Sequence, residues 1–201
     1  MIKYRIFTES KKFIFTNNVI LCMVFVVTFL AYLVHKYIFG WIIISERNFQ
    51  FVFLLPICLA LYFKFILSWS QYEPLKGTLN TYMELHEDCI IVEKDKYSVD
   101  EIKSINILNF DFKDDHNYAG KGNYNGILSN GIGNLLKINL INGKSIELNF
   151  QQDKENVLAS AKKELVSYYK KGKISRQNFA EICGYEDSDI DVISSIVRYY
   201  S

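Results

Sequence analysis

Any chemistry in this chain is first sought in the stretch YAGKGNYNGILSNGIGN, Tyr118 to Asn134, which sets five glycines and four asparagines among seventeen residues. Glycine-rich loops cradle phosphates when their spacing brings backbone amides onto the anion and a helix follows. A Walker loop needs G-x-x-x-x-G-K-[ST]. Gly126 and Gly131 supply the first spacing, but Ile132 and Gly133 stand where Lys and Ser or Thr are required. A Rossmann turn needs G-x-G-x-x-G opening a helix, whereas Gly120, Gly122 and Gly126 have the wrong last interval and run on into more loop and a strand. The stretch is therefore expected to be a long connection between strands, with Gly and Asn taking up positive φ. Connections of this length are often functional, which makes it the expected ligand or partner surface, with Tyr118, Lys121, Tyr124 and Gly126 as its contacts.

Other chemistries find less. Asp114, Asp115 and His116 are metal-ligand types, but adjacent residues do not converge on one ion without distant help, and no second set stands at a ligand interval. The four cysteines, Cys22, Cys58, Cys89 and Cys183, show no C-x-x-C spacing and are expected to be small buried hydrophobes rather than disulfides or zinc ligands. No Ser lies in G-x-S-x-G and no carboxylate pair stands out, so neither catalysis nor a cofactor or metal is expected. A formal charge of +1 gives nucleic acid no handle. The tail has the spacing of a helix-turn-helix, but Asp187, Asp189 and Asp191 would repel phosphates.

The elements that would position such a loop differ between the two halves of the chain. From Phe13 to Trp69 the only Lys, Arg, Asp or Glu side chains are Lys36, Glu46, Arg47 and Lys64. Two apolar runs, Phe13 to Val34 and Asn48 to Trp69, each reach about 33 Å at ~1.5 Å per residue, enough for a hydrocarbon core of about 30 Å. The first is too long for a secretory signal and lacks a small-x-small cleavage site. Lys3, Arg5, Lys11 and Lys12 precede the first run, and only Lys36 and Arg47 lie in the connector. That bias predicts a hairpin in the inner, cytoplasmic membrane with both termini cytoplasmic, and a basic N-terminal segment over residues 1–12 free to touch anionic lipid. In the connector, Tyr37, Trp41 and the Ile triplet suit the outer interface, and Pro56 is expected to kink the second span.

Beyond the linker at residues 73–77 the period changes to two. Leu79, Thr81, Met83 and Leu85 alternate, the polar turn His86 to Asp88 follows, and then Cys89 to Glu93, which predicts a hairpin. After a second turn at KDK, the strand in EIKSINILNFDF shifts phase between Ile107 and Leu108, as a bulge or bend would make it do. Leu135 to Phe150 alternates on either side of Asn142-Gly143, the pair that suits a two-residue type I′ hairpin. From Asp153 the period turns helical, with Val157, Leu158, Ala161, Leu165, Tyr168 and Tyr169 as one stripe and Gly172 as the stop. The tail, residues 173–201, is expected to form two short helices separated by Gly184, the second capped by Asp187 or Ser188.

This layout of two spans at residues 13–70, an antiparallel α+β domain at residues 78–172 closed by an amphipathic helix, and a helical tail resembles bacterial membrane proteins with a cytoplasmic PH-like domain. The resemblance implies an antiparallel PH-like sheet or barrel and, in lipid-binding members, a basic loop between the first two strands. Here that loop is His86, Glu87 and Asp88, which is acidic. The function expected is a non-enzymatic, membrane-anchored interaction or sensing protein, with the bilayer and a protein or small molecule as partners and self-association open. The alternative resembles phage-defence effectors in which two spans join a β-barrel that senses a cyclic nucleotide and perturbs the membrane on oligomerising.

Overall fold

The computed structural model of the chain describes residues 2–40, 45–117, 123–186 and 189–200. Two compact units are present. One comprises residues 1–11, 77–115 and 129–201, and the other residues 12–76 and 116–128.

The first unit is built on a seven-stranded antiparallel sheet of order β4-β3-β2-β1-β9-β8-β5. Its strands are β1 (Ile2–Glu9), β2 (Gly77–Leu85), β3 (Cys89–Val92), β4 (Asp95–Ser98), β5 (Ile102–Leu108), β8 (Asn134–Leu140) and β9 (Ser145–Phe150). Two further strands, β6 (Lys113–His116) and β7 (Leu128–Asn130), form a separate pair. The N-terminal segment is thus not a free basic arm. It alternates Lys3 and Arg5 outward with Tyr4 and Ile6 buried, and it lies in the middle of the sheet between β2 and β9. Its register with β2 runs from Ile2 opposite Leu85 to Glu9 opposite Gly77, with a bulge between Ile6 and Thr8. Lys3 and Glu84, paired across the strands at 2.6 Å, illustrate the outward face; the Lys3 bond, helped by His86, holds the Glu84 carboxyl below its usual range.

Each strand pair follows from local chemistry. Glu93 takes the left-handed conformation (φ 57°) in a two-residue turn at Glu93-Lys94, one position ahead of the expected turn, so that Val92 faces Asp95. The β8–β9 hairpin forms as expected but closes differently. Leu140 donates to the Lys144 carbonyl and only Gly143 has positive φ (86°), giving a three-residue loop with a glycine bulge instead of a type I′ turn. In β5 the irregularity falls at its start, between Ile102 and Ser104, and the strand ends at Leu108. Beyond it Phe110 is 71% exposed, while Asp111 is buried.

The sheet is open, not a closed barrel. Its edges, β4 and β5, are consecutive in the chain and separated only by the 3-10 turn Val99–Glu101, so they meet at one corner without pairing. The edge of β5 is taken up by the C-terminal chain. The Ile105 amide donates to the Lys173 carbonyl at 2.7 Å and the Lys173 ammonium to the Ile102 carbonyl at 2.7 Å. Asn178 behaves as one residue of an eighth strand, its Oδ1 accepting from the Ile107 amide (3.0 Å) and its Nδ2 donating to the Ile107 carbonyl (2.7 Å). Asn178→Ala leaves both Ile107 groups buried and unpaired, an expected loss of about 2 kcal/mol that denaturant unfolding of the purified protein would register, with added edge-to-edge aggregation.

Three short helices cover the sheet: α3 (Lys162–Lys170), α4 (Arg176–Cys183) and α5 (Ile190–Tyr199). The helix expected from Asp153 begins later, because Asn156 adopts φ 57° and a 3-10 turn over Leu158–Ala161 precedes α3. Its stripe nevertheless packs as expected, with Leu158, Ala161, Leu165 and Tyr168 fully buried against Met83, Leu85, Ile90, Leu136, Ile138 and Phe150. The Tyr168 hydroxyl donates to the carbonyls of His86 (2.5 Å) and Cys89 (3.2 Å), pinning α3 to the β2–β3 turn, and burial pushes its pKa upward. Gly172 ends this segment at φ 67°, and Ser175 caps α4. Asp189 precedes α5; the expected caps Asp187 and Ser188 lie outside the described residues.

The second unit holds two helices long and apolar enough to cross a membrane by length and composition, α1 (Asn17–Tyr37) and α2 (Arg47–Ser70). Thr16 caps α1 by accepting from the Val19 amide. The buried residues of α1, Leu21, Thr28 and His35, recur every seven positions, as do Phe49, Pro56 and Phe63 of α2. The two helices meet through ring contacts, with His35 stacked on Phe49 at 5.3 Å and Tyr32 against Phe49 and Phe53. Pro56 has no amide to give to residue 52, and the turn ahead of it tightens to 3-10 over Gln50–Phe53. Trp41 and the Ile triplet of the connector lie outside the described residues.

Candidate functional site

The expected contact surface, residues 118–134, is divided by the structure. Tyr118 and Lys121 lie outside the described residues. Tyr124 and Gly126 belong to the second unit, where they rest on the chain's own helices. The Tyr124 amide donates to Asn18 Oδ1 at 2.8 Å, and its carbonyl accepts from Asn17 Nδ2 at 3.0 Å, at the first turn of α1. Asn17 Nδ2 also reaches Gln71 Oε1 at 3.2 Å, tying the start of α1 to the residue just past α2. Gly126 is required for space. A Cβ there would stand 2.0 Å from the Gln71 carbonyl oxygen and 2.5 Å from that of Tyr72. Ile127 is buried beside it, and Tyr72 and Leu128 form an isolated parallel bridge.

The end of the stretch, Ser129 to Asn134, enters a buried polar network in the sheet unit that sequence reasoning did not find. Asp111 accepts from Ser129 Oγ (2.5 Å) through one carboxylate oxygen and from the Gly133 amide (2.6 Å) through the other. Asn134 is wholly buried. Its Oδ1 accepts from the Asp111 amide and Gln152 Nε2, each 3.0 Å, and its Nδ2 donates to the carbonyls of Asp111 (2.8 Å), Gly131 (2.9 Å) and Phe150 (3.2 Å). Gln152 completes the set by accepting from the Leu158 amide at 3.3 Å. Two glycines admit this packing: a Cβ at Gly131 would meet the Gln152 carbonyl at 2.3 Å, and one at Gly133 would meet Asp111 Oδ2 at 2.8 Å. Every side-chain polar atom of Asp111 and Asn134 is thus engaged within the fold, the signature of a structural network. The one sequence signal was the run Asn-Gly-x-Gly-Asn itself, whose small and amide residues suit close backbone packing as well as ligand contact.

The remaining chemistry is sparse. Among the described residues no three His, Cys, Asp or Glu side chains come together in a metal-binding group. Burial, and then Asp88, raise the pKa of Cys89, and burial raises that of Cys183, so both stay thiols rather than nucleophilic thiolates. An open groove of about 670 Å³ lies in the sheet unit between β4 and the β8–β9 turn, lined by Lys96, Tyr97, Asp100, Ile141 and Lys144 among others. Its Glu101 wall is already used as the partner of the Ser98 amide in a capping box. It offers mixed charge and one exposed aliphatic side chain, the makings of a contact surface. Comparison with known protein families, curated proteins and solved structures finds no match.

Proposed function

We propose that the protein is a non-enzymatic, two-span membrane protein that presents a cytoplasmic β-domain of PH-like layout for interaction or sensing. The observation that carries this reading is the pairing of β1 with β2. These strands flank the apolar helices in sequence, yet Glu9 stands opposite Gly77 in one ladder. A chain that leaves a sheet and returns to the neighbouring strand has to cross a bilayer an even number of times. The two helices supply two crossings, and the basic residues at the strand end, Lys11 and Lys12, set the cytoplasmic face.

The helix surfaces support the same reading. Only 17% of the apolar window of each helix is buried, and Val27, Leu55 and Phe65 stand 62%, 61% and 67% exposed. Apolar surface on this scale calls for lipid or protein around it. Fractionation tests this. The full chain is expected to stay with membranes through alkaline carbonate extraction, and its release into the supernatant would exclude integral insertion.

A further inference from the structure

A helix leaves its last carbonyls without amide partners, and an unpaired carbonyl near apolar surroundings is costly. The end of α2 is irregular, with a π-turn over Phe63–Leu67 followed by a 3-10 turn over Ser68–Ser70. The loop that returns to β7 answers its open groups. The Ile127 amide donates to the Ser68 carbonyl at 3.0 Å, the Leu128 amide to the Gln71 carbonyl at 3.1 Å, and the Leu128 carbonyl accepts from the Glu73 amide at 2.8 Å. Lys64, within the π-turn, donates through its ammonium to the Asn123 carbonyl at 3.1 Å. On the other side Asn17 and Asn18 of α1 hold Tyr124 by its carbonyl and amide.

We propose that residues 123–128 are a strap that fixes the spacing between the Asn17 end of α1 and the Gln71 end of α2. In sequence the strap lies between β6 and β7. This is a conformational device: with the strap seated the helix ends are held, and with it released they separate. It rests on the two-span reading for its biological sense but not for its geometry, since every bond named lies within the helical unit.

The native cysteines permit a direct test. Cys22 on α1 and Cys58 on α2 are exposed, whereas Cys89 is buried. With Cys183→Ser as background, spin labels at Cys22 and Cys58 report the helix separation of the full chain in nanodiscs and in micelles. Lys64→Met removes one strap bond with little change of shape, and Gly126→Val unseats the strap by collision with Gln71. Relative to the unmodified strap, the distance distribution is expected to broaden about twofold in Gly126→Val and by less in Lys64→Met. Hydrogen exchange at the Ile127 and Leu128 amides should rise about tenfold or more, while the β8 amides stay protected. Unchanged distances together with freely exchanging Ile127 and Leu128 amides before mutation would overturn the strap. Failure of the chain to enter nanodiscs would instead count against the membrane reading, because the micelle measurement still decides the strap.

Discussion

Replacing Asn134 by Ala is expected to lower the stability of the sheet unit by about 3–5 kcal/mol, the largest loss from any single polar side chain in it. The change deletes no apolar surface of consequence. It strands the Asp111 amide, which loses its acceptor, and it takes one bond each from Gln152 Nε2, which keeps the Asn109 and Asp111 carbonyls, from the Asp111 carbonyl, which keeps Gln152 Nε2, and from the Gly131 carbonyl, which keeps the Gln152 amide. The one buried group left unpaired costs about 1–3 kcal/mol, and each of the other lost bonds about 0.5–1.5 kcal/mol. Asn134→Asp is no remedy, since it removes the Nδ2 donor and sets a second carboxylate close to Asp111. Asn142→Ala serves as the contrast. Its Oδ1 accepts from the Lys144 amide in an exposed turn, and the expected change is under about 1 kcal/mol. Thermal unfolding followed by circular dichroism compares the pair; equal transitions for Asn134→Ala and Asn142→Ala would show that the network contributes no stability.

The second large effect concerns β1. A fragment beginning at Gly77 lacks the strand between β2 and β9, exposes the β2 and β9 edges, and leaves Phe150 without the edge-to-face contact of Tyr4 at 5.6 Å. Such a fragment is expected to be molten or aggregated. Because Glu9 already faces Gly77, a two-residue Asn-Gly turn can replace residues 10–76 and join β1 directly to β2 as a hairpin. The joined chain is expected to be soluble and to unfold in one cooperative transition, with heteronuclear NMR showing dispersed amides that the Gly77 fragment lacks. A well-dispersed spectrum from the fragment alone would contradict the central role of β1.

Much of this architecture is legible in the sequence where one face of an element is apolar. The alternation through β2, β8 and β9 and the stripe of Leu158, Ala161, Leu165 and Tyr168 declare themselves because burial on one side imposes the period. The strand β1 has the same alternation, but it carries Lys3 and Arg5 beside a long apolar run, so its charges suggest a membrane flank before its period suggests a strand. The α1–α2 contact is hidden for another reason. Two of the three buried positions of α1, Thr28 and His35, are polar residues in an apolar run, so no apolar stripe marks the seven-residue repeat. The buried network is also opaque to sequence, since Asp111, Asn134 and Gln152 come from distant segments and look like ordinary loop residues until the sheet brings them together. The glycine-rich stretch shows both limits at once. Its composition announces a special backbone, and only the positions of Gln71 and Asp111 show that Gly126 and Gly133 make room for the chain itself.

The central claim, a helical hairpin whose two flanks close into one sheet on one face of the membrane, is tested most directly by placing distinct epitope tags at the two ends of the full chain and exposing membranes to protease. Both tags should be cut in inside-out vesicles and both protected in spheroplasts, together, because β1 and the strands that follow α2 share a ladder. One tag cut and the other protected in the same preparation would put the flanks on opposite faces and contradict the account.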